Sequence, residues 1–279
     1  MKVQLNGLNL SVKDVVDVSR NNYVVELPEE SVGKINRSRN YVETMISEGE
    51  SVYGLTTGFG SLSNVSIPLE DVEKLQENLI KSHAVGVGEP LSEDIVRAVM
   101  LIRINTFVKG FSGIRLSTVQ LLVDMLNRGV HPIIPEKGSV GASGDLAPLS
   151  HMVLVMIGRG EAMFNGQRMS GKEALLYAGL SPIKLSFKEG LALNNGTTVM
   201  TAIMALNIHD SENLIKNTLI ASSLSLESLK GCSVALNENI HLARPHFGQG
   251  RCASIISKLI EGSKLIDSTT KVQDAYSLR

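Results

Sequence analysis

Between Thr197 and Lys230 the chain has no proline, few helix breakers, and Leu, Ile and Ala returning at helical spacing among serines. No other stretch restricts the fold as strongly. A helix of ~30 residues is about 45 Å long at the α-helical rise. Such a rod exposes most of its surface unless other helices lie along it, so the segment predicts a helix bundle completed by other subunits.

The remainder reads as shorter helices separated by turns. Ser11 caps a short helix to Val18, and Glu29 to Glu48 form a longer one ended by Gly49. Pro68, followed by Glu70 and Asp71, opens a helix towards Lys81, with proline in the first turn and acidic groups at the positive end of the dipole. Ser92 caps Glu93 to Val108, whose Ile95, Val99, Ile102 and Phe107 lie near one face. Another helix covers Ser117 to Asn127, stops at Gly129, and is followed by extended chain from His131 to Pro135. Leu146 to Ile157 is a buried helix, Asn165-Gly166 marks a hairpin over 161–169, and Ser170 to Ala178 is a short helix.

With 279 residues, of which 43% are hydrophobic, the chain buries a substantial core. The net charge of -1 gives no basic surface for nucleic acid or an acidic membrane. The N-terminus lacks the apolar core of a signal peptide, and the longest apolar runs fall short of the ~20 residues that span a bilayer. Cys232 and Cys252 offer no disulfide framework, which fits a reducing, cytoplasmic setting. His131, His151, His209, His241 and His246 have no metal-ligand spacing and read as structural or surface groups, and the ten methionines read as core filler.

The glycine-rich run Gly138-Ser139-Val140-Gly141-Ala142-Ser143-Gly144-Asp145 leads into the helix that starts at Leu146. A phosphate loop needs Gly-Lys-Ser/Thr after its glycines, and no lysine follows. A nucleophile elbow, Gly-x-Ser-x-Gly, fails because Asp145 stands two residues after Ser143. Two readings remain: a turn in which Ser143 or Asp145 caps the next helix, and a backbone cyclisation. In the second, the Gly144 nitrogen bonds to the Ala142 carbonyl carbon and two waters leave, one carrying the Ser143 hydroxyl. The product is a 5-methylidene-imidazol-4-one (MIO). Glycine leaves the fold-back unobstructed, and serine supplies the hydroxyl that departs.

Five motifs occur in order: Tyr53-Gly54-Leu55-Thr56-Thr57-Gly58-Phe59-Gly60, Ser82-His83-Ala84-Val85-Gly86-Val87-Gly88, Ala142-Ser143-Gly144-Asp145-Leu146-Ala147-Pro148-Leu149, Asn195-Gly196-Thr197, and Gln273 to Arg279. Together they resemble the aromatic amino acid ammonia-lyases along the whole chain. The resemblance implies a mainly α fold: a long-helix bundle of the fumarase/aspartase-like type, with a smaller loop-rich N-terminal α region and a short hairpin. It divides the chain into an MIO-containing region, 1–190, and the start of the central bundle, 191–279.

The resemblance also implies roles. Tyr53 is the base that removes the β-proton, in a glycine-flanked loop suited to a lid. An ordinary tyrosine pKa near ~10 requires that its site stabilise the phenolate. His83, otherwise a helix C-terminal histidine, faces the substrate side chain, and Ser-His is typical of histidine-specific members. Asn195 hydrogen-bonds near the MIO carbonyl, or caps the helix before Thr197. Arg279 grips the substrate carboxylate, Tyr276 is a second catalytic tyrosine, and Gln273 a polar pocket residue. Asp145 supports MIO formation or acts as a capping carboxylate. Because the MIO comes from Ala142-Ser143-Gly144, the resemblance calls for no metal or organic cofactor.

The implied activity is elimination of ammonia from L-histidine to give trans-urocanate, by a homotetramer with composite sites. Phenylalanine- or tyrosine-directed lyases and aminomutases use the same electrophile, and a non-catalytic helical scaffold is the reading outside enzymes. Family chains run longer, so the resemblance also implies a fragment, cut in the substrate site and inactive alone.

Overall fold

A computed structural model of the chain describes residues 1–49, 52, 57–58, 68 and 71–278. They form two compact units, Met1–Asn207 and Ile208–Arg279. The fold is mainly α, as the sequence predicts.

In the first unit, β1 (Lys2–Gln4) and β2 (Val24–Glu26) pair in parallel across α1 (Val12–Ser19). Ser11 caps α1 reciprocally: its hydroxyl accepts the Asp14 N–H at 3.2 Å, and the Asp14 carboxylate accepts the Ser11 N–H at 2.9 Å. The next helices are α2 (Glu29–Ser47) and α3 (Val72–His83). Pro68 precedes α3 rather than opening it. Its carbonyl accepts the Asp71 N–H at 3.0 Å, and the helix starts at the next residue, Val72.

Then follow β3 (Val87–Pro90), α4 (Glu93–Phe107), α5 (Leu116–Arg128), β4 (His131–Pro132), β5 (Pro135–Lys137) and α6 (Leu146–Met156). β3 pairs antiparallel with β5. Strands β6 (Glu161–Phe164) and β7 (Gln167–Ser170) make the hairpin on Asn165-Gly166, whose positive φ values of 50° and 76° suit a tight two-residue turn. Short α7 (Gly171–Tyr177) and α8 (Glu189–Asn194) lead to α9 (Thr198–Ser228), the 31-residue helix anticipated from the proline-free run.

The centre of this unit is α4. Val96, Val99, Met100, Leu101, Ile104 and Phe107 lie in one buried cluster with Val15, Val16 and Val18 of α1, Leu122, Met125 and Leu126 of α5, and Leu149, Met152 and Met156 of α6, and α4 itself packs on α1 and α5. Each such side chain contributes ~1.5–3 kcal/mol relative to exposure. Of the stripe expected on α4, Val99 and Phe107 are buried but Ile95 and Ile102 are only half-buried. Neighbours cover α4 on several sides, so burial does not follow one stripe. Ser92 stands at the N-cap position without capping: its hydroxyl donates instead to Asp94 at 2.6 Å.

Arg97 of α4 is buried beneath the ends of two helices. It donates to the carbonyls of Val18 (2.7 Å) and Leu126 (3.2 Å), and to His131 Nε2 at 3.0 Å. Helix C-termini carry partial negative charge, which compensates the buried cation.

The second unit contains the remainder of α9, a 3-10 turn at Ser233–Leu236, α10 (Glu238–Leu242), α11 (Phe247–Leu259) and a last 3-10 turn at Tyr276–Leu278. Asp267, after α11, ties back to the first 3-10 turn by accepting the Ser233 N–H at 2.9 Å and hydroxyl at 2.7 Å.

Candidate active site

The glycine-rich loop takes backbone shapes that side chains resist. Gly138, Gly141 and Gly144 have φ of 152°, 70° and 102°. Gly144 is the tightest: a Cβ there would stand 2.3 Å from the Gly196 carbonyl oxygen. Ala142 and Ser143 are exposed, whereas Gly144 and Asp145 are buried. The tripeptide therefore stands open on a rigidly seated base.

Asp145 does the seating. Its N–H donates to Gly196 O at 2.7 Å. Its carboxylate accepts the Ser139 hydroxyl at 2.9 Å and the N–H groups of Val199 and Met200 at 2.8 and 3.0 Å. Asp145 occupies the N-cap position of α6 but makes no cap bond there. It caps α9 instead, from a distant loop. That also corrects the reading of Asn195 as a helix cap, because Asp145 already holds the first amides of α9.

The His83 segment reaches the same loop. Gly86 donates its N–H to His151 Nε2 at 3.0 Å, and a Cβ on Gly138 would stand 3.0 Å from Gly86 Cα. His83 ends α3, with Nδ1 2.8 Å from the Leu79 carbonyl. A carbonyl only accepts, so Nδ1 carries a proton, and in the neutral ring Nε2 is the acceptor. Burial holds the His151 pKa below the usual imidazole value, which keeps the ring neutral and able to accept from Gly86.

Asn195 follows α8 and is exposed, while Asn194 is fully buried and donates to Ser150 Oγ at 3.3 Å. The Asn-Asn doublet thus separates into one inward and one outward amide. Arg103, buried on α4, donates to the carbonyls of Ala192 and of Asn195, the latter at 2.8 Å. Glu189 anchors the start of α8: it accepts Thr118 Oγ1 at 2.7 Å, the Ser186 N–H at 2.8 Å and the Arg115 guanidinium. Burial pushes its carboxyl pKa up, but these donors outweigh it and hold the group below the usual carboxylate value.

The structure therefore joins the Ala142–Gly144 loop, the His83 segment and Asn195 within the first unit. Gln273 and Tyr276 lie exposed in the second unit, flanking Asp274, whose carboxylate accepts the Cys232 N–H at 2.7 Å. Tyr53 and Arg279 lie outside the described residues. Sequence reasoning assigned His151 a structural or surface role and passed over Arg103. Neither carries a spacing that pairs it with its target.

Among the described residues no group of three or more His, Cys, Asp or Glu is placed to hold a metal ion, and no helix is long and apolar enough to cross a membrane.

Comparison with known proteins agrees with this layout. The family described as "Aromatic amino acid lyase" matches residues 10–279. Histidine ammonia-lyase of Alkaliphilus oremlandii is 52% identical over 280 residues, covering 100% of this chain and 55% of its own length. Histidine ammonia-lyase from Trypanosoma cruzi superposes with a TM-score of 0.89 at 36% identity, over 100% of this chain and 52% of the other. Phenylalanine aminomutase of Pantoea agglomerans gives 0.90 at 35%, over 100% and 57%. The chain spans about half the length of the curated relatives it matches.

Proposed function

The chain belongs to the aromatic amino acid lyase family, and we propose that it supplies the electrophile-forming segment of an enzyme that eliminates ammonia from L-histidine to give trans-urocanate. One observation carries this reading. Gly144 sits at φ 102° in a crevice against Gly196 that admits no side chain, directly after an exposed serine. Cyclisation needs that pairing. The Gly144 nitrogen bonds to the Ala142 carbonyl carbon, Ser143 gives up its hydroxyl and α-proton, and two waters leave.

The MIO so formed supplies an electrophilic carbon that makes the substrate's amine a better leaving group. The chain's own residues do the rest. Tyr53 takes the β-proton, with Tyr276 as the second catalytic tyrosine. Arg279 binds the carboxylate through its planar fork, and Gln273 adds a polar contact. Asn195 donates to an oxygen that gains charge. His83, with Nδ1–H committed to Leu79, offers Nε2 to a substrate imidazole N–H, and this favours L-histidine over phenylalanine or tyrosine. Asp145 holds the loop against Gly196 and so supports the cyclisation. Homotetrameric assembly in the cytoplasm belongs to the same proposal, supported by apolar side chains exposed along α9 such as Leu214 and Leu224.

Mass spectrometry tests the reading. The peptide containing Ala142–Gly144 should weigh about 36 Da less than its sequence, and Ser143→Ala should abolish both that loss and turnover while sparing the fold. Release of urocanate from L-histidine, with no product from L-phenylalanine or L-tyrosine, is the expected specificity. A β-amino acid product would point to an aminomutase instead, and an unmodified tripeptide in the folded protein would sink the proposal.

A further inference from the structure

Arg103 lies under the candidate site without touching the reacting tripeptide. It is 3% exposed, in the middle of α4. Its guanidinium donates to the Ala192 carbonyl, to the Asn195 carbonyl at 2.8 Å and to Thr198 Oγ1 at 3.4 Å. The Phe107 ring lies below, its centroid 4.9 Å from Cζ. Burial lowers its pKa to about 10, so it remains charged at neutral pH. None of its recorded partners is a carboxylate. Among the described residues no carboxylate offsets its burial, which is costly for a cation, and an apolar side chain of the same volume would fill the space without that cost.

The geometry shows what the cation holds. The three acceptors span the last turn of α8 (Ala192), the turn that follows it (Asn195) and the first residue of α9 (Thr198). A Cβ on Gly196 would stand 2.5 Å from Arg103 Nη1, and Gly196 O in turn accepts the Asp145 N–H at 2.7 Å. A rigid fork thus presses on one side of Gly196 while the Ala142–Gly144 loop presses on the other. We propose that Arg103 is a positioning residue: its guanidinium sets the 192–198 turn so that Asn195 and Gly196 are aimed at the cyclising loop. The inference rests on the reading of that loop as the electrophile.

Arg103→Lys tests it, because lysine keeps the charge but loses the planar fork. Two readouts are taken on the folded variant: amide hydrogen exchange at Asp145 and Val199, and the fraction of the Ala142–Gly144 peptide that has lost two waters. We expect exchange at those two amides to rise ten-fold or more and the dehydrated fraction to fall at least three-fold, with the melting temperature near the native value. A purely structural role would instead lower the melting temperature and raise exchange throughout α4. That result, or unchanged exchange at Asp145 and Val199, overturns the inference. Exchange is measurable whether or not the native loop dehydrates. Absence of the mass loss in the native protein therefore removes the cyclisation reading alone, and Arg103 is still decided. Should Arg103→Lys not fold, Thr198→Val removes one acceptor of the fork. It should raise exchange at Asp145 about three-fold, and no change there counts against the inference.

Discussion

From Thr198 to Asn207, α9 buries Val199, Ala202, Ala205 and Leu206; from Ile208 to Ser228 it buries only Leu219 and Ser223. The second stretch leaves Ile208, Leu214, Ile215, Ile220 and Leu224 exposed. The apolar side chains are of like types in the two stretches, although only the second also carries Asp210, Glu212, Lys216 and Glu227. What also differs is what each one meets. The first stretch packs on the core and has its leading amides held by Asp145, whereas the second presents an apolar surface. One helix thus runs from an anchored end, where the candidate electrophile is seated, to an end whose apolar side chains stand exposed.

The largest break in this comparison should come from the anchored stretch. Leu206→Ala removes a side chain that is 2% exposed and should destabilise the first unit by about 2–5 kcal/mol in urea denaturation. Asp145→Ala comes next. It strands the amides of Val199 and Met200 and should cost about 2–3 kcal/mol, since a lost cap costs ~0.5–2 and a buried unpaired amide ~1–3. Asp145→Asn keeps an acceptor and should cost roughly half as much in the same assay. An equal loss for both variants would mean that Asp145 acts through its charge rather than its geometry.

Acid should act on the same unit. Burial pulls the His131 pKa down to about 4; the Glu93 carboxylate, 3.4 Å from Nδ1, opposes the shift, and the Arg97 cation that donates to Nε2 adds to it. The folded value lies below the unfolded one of 6.5, so the unfolded chain binds more protons. The stability this contributes is complete above pH ~6.5 and is lost as pH falls towards ~4, on the order of 2 kcal/mol after relaxation. Denaturation midpoints across that range should slope downward with falling pH in the native chain and be flatter in His131→Gln.

What the sequence made legible follows from the range of each signal. The hairpin was readable because Asn165-Gly166 encodes its own turn, and α9 because no proline or cap interrupts its period. Helix α8 is not legible in the sequence because Glu189–Asn194 is too short to show a period. The strands β1 and β2 are three residues each, and their parallel pairing needs the α1 crossover between them rather than a local turn. At the site, the tripeptide and its neighbouring glycines were readable because their covalent chemistry is local. The reach of Asp145 to Val199 and of His151 to Gly86 was not, because those bonds join residues far apart in sequence. A buried arginine such as Arg103 looks, in sequence, like a solvated one.

The smallest effect on folding should come from the exposed stretch, and it sharpens the comparison most. Leu214 is 67% exposed and Leu224 59%. Replacing either with lysine removes little packing, so stability should stay within about 0.5 kcal/mol of the native value. Assembly should respond differently. If these side chains lie in a subunit interface, an unpaired lysine there must be desolvated on association, which opposes it strongly. Leu214→Lys with Leu224→Lys should therefore shift the mass measured by light scattering from tetramer to smaller species while leaving the circular dichroism of the helices unchanged. Tetramers that persist in the double variant would show that the apolar stretch of α9 serves something other than self-association. The anchored and exposed ends would then have to be explained separately.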